Sequence, residues 1–258
     1  DKESRITTSS EEDITNALIK VTREKKKTIY FLEGHGEGTL EDTGDKGYSA
    51  VKSELEKLGY EVKSQALALA DRFPKDCALL IIPGPQKDLL PNELETIKRY
   101  IQDGGRVFFM VEPETAPGLT PFLGQYGFKL DNDLIVDTVS RLLGGDYFMP
   151  VVSEYESHEI TKDFHYATFF PYARSVEVAD TKPEGETMTA LAKTSPNSWA
   201  ERELEQTQVK FNKAKDRQGP ITLAVVATLK VTPKIAPSPE VKPGEKAPYP
   251  PMPQGGGM

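Results

Sequence analysis

One histidine between two glycines, with a carboxylate on either side, is the stretch of this chain best suited to chemistry: Glu33-Gly34-His35-Gly36-Glu37, directly after the apolar run Tyr30-Phe31-Leu32. An imidazole beside a carboxylate can act as a general base or as a ligand contact. It can equally hydrogen-bond its own loop and shape the turn. Gly34 and Gly36 suit positive φ or a close backbone approach. They do not match the spacing of a phosphate-binding GxGxxG or Walker loop, and neither a Lys nor a Ser/Thr partner follows.

The remaining residues do not complete a catalytic set. Cys77 precedes the apolar run 78–82, whereas a nucleophilic cysteine belongs on the turn after such a strand. That turn is Pro83-Gly84-Pro85-Gln86 and carries no Ser, Thr or Cys. Cys77 reads as a small buried hydrophobe. His158, His165, Glu154, Glu156 and Glu159 fall close together, but no HxxxH or HExxH spacing is present, so neither a metal nor another cofactor is expected. Glu41, Asp42 and Asp45 lack the order of an EF-hand loop and read as a solvated acidic loop. Trp199, alone in a polar stretch, either anchors that stretch or touches a partner. The aromatic group Phe164, Tyr166, Phe169, Phe170 and Tyr172 reads as the core of a second layer, with a carbohydrate platform as the other option.

The elements that must position these residues follow from periodicity. Residues 28–32, 78–82 and 106–111 are continuous apolar runs, as expected of strands buried on both faces, and 60–66 reads as a further strand. Between them, 48–58 reads as a helix stopped by Gly59. A second helix starts near Pro91, carries Leu94, Ile97 and Ile101 on its inner face and stops at Gly104-Gly105. Alternation of this kind predicts an α/β fold around a parallel sheet, where ligands bind beyond the carboxyl ends of the strands. His35, Glu37, Gly84 and Glu112 all fall at strand exits and are expected on one rim. Past about residue 145 the alternation fades. Residues 151–157 and 164–170 read as strands or extended segments, 187–191 and 221–231 as β-like, and 198–215 as a polar helix or mobile loop.

Length and charge bound the class. With 258 residues and a net charge of −8, the chain can bury a full core but has no basic patch for nucleic acid. A single cysteine rules out an internal disulfide, and no apolar stretch nears the ~20 residues that cross a bilayer. The abrupt start and the Pro/Gly-rich end suggest a segment of a larger protein. The expected organisation is a lead-in helix over 1–25, one α/β domain over 26–232 (regular core 26–140, elaborated part 141–232) and a Pro-rich disordered tail over 233–258.

Five words in order carry a family resemblance: Phe31-Leu32-Glu33-Gly34-His35-Gly36-Glu37, Gly47-Tyr48-Ser49, Ile82-Pro83-Gly84-Pro85, Tyr100 through Gly105, and Ser195 through Glu201 around Trp199. The lead-in around Asp13-Ile14-Thr15-Asn16-Ala17-Leu18 agrees with them. Together they resemble the soluble domain of the auxiliary component of gliding-motility-associated ABC-type transport systems. The resemblance implies a three-layer, flavodoxin-like core similar to the class I glutamine amidotransferase fold. It implies a domain on the extracytoplasmic (periplasmic) side, anchored to the inner membrane through segments absent from this chain, with an ABC permease and ATPase as partners. It does not bring a defined activity. Two departures stand out: Glu112-Pro113 replaces an Asp-Pro, and a further strand of the family gives way here to prolines. The expected role is non-catalytic recognition of a partner or ligand through His35, Glu37, Gly84, Glu112 and Trp199. The alternative is a degenerate or unrecognised hydrolase using His35 with a carboxylate.

Overall fold

In a computed structural model, the described residues are 27–231 other than 69, 71, 182, 184 and 204–209, together with Glu11 and Thr15. Apart from those two residues, the lead-in expected over 1–25 lies outside the described residues, as does the tail expected over 233–258.

Four strands, β1 (Thr28–Leu32), β2 (Glu61–Gln65), β3 (Cys77–Pro83) and β4 (Val107–Met110), form one sheet in the order β2-β1-β3-β4 with every pairing parallel. Every residue of β1 is buried. Its side chains alternate between two cores, as a period of two requires. Tyr30 and Leu32 join Leu80 and Ile82 beneath Ile97 and Ile101 of helix α2 (Pro91–Gln102). Ile29 and Phe31 join Val62 and Ile81, with Leu55 of helix α1 (Ser49–Lys57) packed against them. The apolar runs of β1 and β3 are therefore strands covered on both sides, whereas β4, expected to be buried on both faces, is covered on one only, with Phe108 exposed on the other because nothing among the described residues packs over it. Gly59, at φ 84°, provides the left-handed residue that ends α1.

The rest of the chain builds smaller antiparallel sheets. Helix α3 (Leu119–Gly124) leads to β5 (Phe128–Leu130), which pairs with β9 (Val176–Val178). Strand β6 (Leu134–Asp137), followed by the single turn α4 (Thr138–Leu142), lies beside β11 (Ser198–Glu201), and β12 (Arg217–Gln218) completes that sheet. β10 (Thr187–Lys193) pairs with β13 (Thr222–Thr228), and β7 (Val151–Val152) with β8 (Thr168–Phe169). A second core of Ile135, Val152, Ala192, Ala200, Ile221 and Leu223 joins β6, β7, β10, β11 and β13, while Phe128, Leu130 and Val176 of the β5–β9 pair pack on the first core. The protein is thus mixed α/β, a parallel sheet elaborated by antiparallel ones.

One expectation is narrowed and another corrected. The runs 151–157 and 164–170 are strand for only two residues each. The aromatic group does not form a second core: Tyr166 is 75% exposed and Tyr172 61%, and only Phe170 packs inward. Val151 and Val152 of β7 fill the inner positions of this short ladder, and most of the rings around it stay at the surface.

Candidate functional site

The turn after β1 is built around His35. Gly34 and Gly36 adopt φ of 120° and 88°, which L side chains rarely reach, and this lets the chain reverse at once beyond Leu32. The reversal folds Glu37 back: its Oε2 accepts the His35 backbone N–H at 2.7 Å, and its Oε1 lies 3.2 Å from ring Nδ1. On the far side of the ring, Nε2 meets Glu93 Oε2 at 2.8 Å. Glu93 occupies the first turn of α2, where the free amides of a helix start need acceptors, and the same oxygen accepts the Leu90 N–H at 2.7 Å. Histidine and both carboxylates are buried. Ionised carboxylates only accept hydrogen bonds, so satisfying both ring nitrogens takes two protons shared among the three groups.

The His35 carbonyl extends this knot to the next strand exit by accepting the N–H groups of Gln86 (2.9 Å) and Lys87 (3.1 Å). Gly84 turns the chain there at φ 69°, and a Cβ at that position would meet Glu112 Oε1 at 3.4 Å. Gln86 Nε2 donates to the Gly84 carbonyl (3.0 Å) and to Glu112 Oε2 (3.1 Å), reaching the exit of β4. Burial and, next, the Glu112 charge push the Tyr48 hydroxyl above its usual range. Beyond Glu112 the backbone is strained. Glu114 and Ala116 hold φ of 59° and 40°, fixed by the Glu114 N–H on Asn132 Oδ1 (3.0 Å) and by the Gly118 N–H on Asp88 Oδ1 (2.6 Å).

His35, Glu37, Gly84 and Glu112 thus meet on one rim, at the carboxyl ends of β1, β3 and β4. Glu93 and Gln86 belong there too, and sequence reasoning missed both. The Pro91-Asn92-Glu93 order was the available signal for the first, since it places a carboxylate at the third helical position after a proline start. Trp199 lies elsewhere. It is buried in β11 between β6 and β12, its indole packs edge-on against Phe211 with ring centres 6.0 Å apart, and Nε1 donates to Glu201 Oε2 at 3.4 Å.

The rim offers recognition chemistry. Neither ring nitrogen of His35 is left over to take a proton from a substrate, while Glu112 and Gln86 are exposed. Cys77 is at the opposite end of the strands, paired with Thr28 at the start of β1. The four steps of β1 alone separate that row from the rim by about 13 Å, so Cys77 and His35 form no dyad. Burial also pushes the Cys77 thiol up, away from the reactive thiolate. Among the described residues no group of three or more His, Cys, Asp or Glu is placed to hold a metal ion. In the acidic loop, Asp42 caps the Gly44 N–H (2.8 Å) and Glu41 pairs with Lys52 (2.6 Å).

Comparisons with known proteins add a family. Residues 26–249 match the model described as ABC-type uncharacterized transport system. In fold, the chain is similar to the mmIFT52 N-terminal domain, at 19% identity and TM-score 0.50 over 67% of this chain and 78% of that one. It also matches a putative ThuA-like protein from Bacteroides uniformis at 13% identity and TM-score 0.39, over 66% and 68%. At these identities the first is a likeness of fold alone, and the second carries no argument. No curated protein matches. Among the described residues no helix is long and apolar enough to cross a membrane.

Proposed function

The chain belongs to the ABC-type uncharacterized transport system family, a family of transport auxiliary proteins, and from that premise we propose that it is a non-catalytic recognition domain of such a system. In this reading it belongs to the gliding-motility-associated kind, with a flavodoxin-like, amidotransferase-related core. It lies on the extracytoplasmic side of the inner membrane, tethered there by parts of the full-length protein, and its rim docks the permease of a permease–ATPase pair. The observation that carries the reading is the His35 knot. It spends the only imidazole of the rim on Glu37 and Glu93 and leaves exposed Glu112 and Gln86 to meet a partner. Rigid hydrogen-bonding groups at strand exits suit binding, because little order is lost when a partner arrives.

Binding of the domain to the detergent-solubilised permease–ATPase complex encoded with it tests this. Replacing Glu112 with Arg is expected to weaken binding by about tenfold or more, as like-charge or mismatched contacts do, with an unchanged melting temperature. Binding insensitive to both Glu112→Arg and Gln86→Ala overturns the rim as the docking site. Turnover in a screen of amide, ester and glycoside substrates, abolished by His35→Ala, would install the hydrolase alternative. Digestion of the full-length protein in intact spheroplasts supports the extracytoplasmic side, and protection there overturns it.

A further inference from the structure

The parallel sheet has two edges, and they differ in kind. β2, Glu61-Val62-Lys63-Ser64-Gln65, is charged and carries a Glu61–Lys63 ion pair at 3.0 Å. Lysines of this sort are how proteins keep edge strands from pairing. β4, Val107-Phe108-Phe109-Met110, has no charge and no proline, and Phe108 is 53% exposed. Only β3 pairs with it among the described strands.

The register tells which of its backbone groups are free. The carbonyls of Arg106 and Met110 accept the N–H groups of Leu80 and Gly84, so the even-numbered residues of β4 turn their backbone groups toward β3. Val107 and Phe109 therefore aim theirs outward. The side chains divide the same way. Val107, Phe109 and Val111 pack on the core, whereas Arg106, Phe108 and Glu112 are exposed on the other face.

We propose that the outer edge of β4 is an interface with a second copy of this chain, joined antiparallel about a two-fold axis at Phe109. Outward-facing residues must pair with outward-facing residues, so the hydrogen-bonded pairs are Phe109 with Phe109 of the other copy and Val107 with Val111. In that register the closer, non-hydrogen-bonded pairs fall on the exposed face. Phe108 meets Met110, an aromatic–thioether contact, and Arg106 meets Glu112. By symmetry each of these occurs twice. A shift by one pairing step to either side separates Arg106 from Glu112, and a parallel partner strand brings like charges together. The opposite charges flanking an uncharged strand thus select both the orientation and the register. The product is one continuous sheet of eight strands, β2-β1-β3-β4 and its symmetry mate. Glu112 belongs to both the rim and the dimer, whereas Arg106 and Phe108 lie outside the recognition rim, so variants at those two positions test the dimer alone.

Sedimentation equilibrium of the full 258-residue chain over a range of concentrations tests this. A concentration-dependent dimer is expected. Arg106→Glu should weaken it by about tenfold or more, two like-charge contacts being created at once, and adding Glu112→Arg should restore it. Phe108→Lys should abolish it. As a check that does not depend on affinity, Phe108→Cys with Met110→Cys in a Cys77→Ser background should form intermolecular disulfides on mild oxidation, and neither single cysteine should. A monomer at every concentration overturns the proposal and leaves the edge to the chain's own C-terminal segment or to another protein's strand. So does a dimer indifferent to Arg106→Glu and Phe108→Lys. Retained binding of the permease complex by a monomeric Arg106→Glu variant separates this interface from the rim.

Discussion

A histidine with a carboxylate against each ring nitrogen is a structural device as well as a chemical one. His35 joins the β1 turn to the start of α2 through Glu93 and holds its own loop through Glu37, all out of water. Removing one member of a buried charged set leaves the others without compensation, which costs about 3–5 kcal/mol. His35→Ala is therefore expected to lower unfolding free energy by about that much in urea titrations. Glu93→Gln should cost less than Glu93→Ala, because a Gln oxygen can still accept the Leu90 N–H. Equal losses in the two Glu93 variants would mean that the cap contributes nothing. A His35→Ala variant as stable as the parent would mean that the knot is ornamental.

At the scale of elements, one buried carboxyl sets a pH dependence. Asp133, just before β6, accepts the Ser175 N–H and hydroxyl, each at 2.8 Å, just before β9. Burial raises its ionisation above the usual range, more than these bonds and the nearby Arg217 lower it. A carboxyl raised in the folded state holds its proton more tightly there than in the unfolded chain. Its contribution is complete below the ordinary carboxylate value (about 3.9) and is lost as pH rises through the raised one. Asp133→Asn should flatten that decline, which urea midpoints measured from acid to neutral pH would reveal, and an unchanged slope would discard the assignment. The same elements explain what could be read beforehand. β1 and β3 were legible because burial on both sides leaves long apolar runs, β4 because it too is an uninterrupted apolar run although one face is open, and α1 and α2 because helices on a sheet keep a stripe such as Leu94-Ile97-Ile101. β5, β6, β9 and β11, three or four residues long and interrupted or ended by Lys129, Asp137, Glu177 and Glu201, were not. β11 is wholly buried yet reads as a polar loop, since Ser198 is satisfied by Thr194 Oγ1 (2.6 Å) and the Ser195 carbonyl (2.8 Å) inside the fold. Glu93 escaped notice for a related reason: its partner His35 lies 58 residues away.

For the whole molecule, the question is how the regular sheet and its antiparallel additions act as one body. Arg174, 5% exposed, reaches in both directions. Its Nε and Nη2 donate to the Asp131 carbonyl at 2.9 and 2.6 Å, between β5 and β6, and its Nη1 donates to the Glu112 carbonyl at 3.3 Å, at the exit of β4. A guanidinium can span these acceptors because its donors form a fixed fork, which the single ammonium of lysine cannot copy. The rim strand exit and the strained turn at Glu114 and Ala116 are thereby braced from outside the sheet. Truncation to Arg174→Ala would leave two part-buried carbonyls without these donors, at a cost below the about 1–3 kcal/mol of a fully buried unpaired group. Its effect should be local as well as global. Amide hydrogen exchange is expected to speed up across 111–118, while β1 and β3 keep their protection, and Arg174→Lys should fall between the two. If exchange instead rises uniformly, or only in β6 and β11, then the rim owes its shape to the parallel sheet alone, and the antiparallel part is cargo rather than brace.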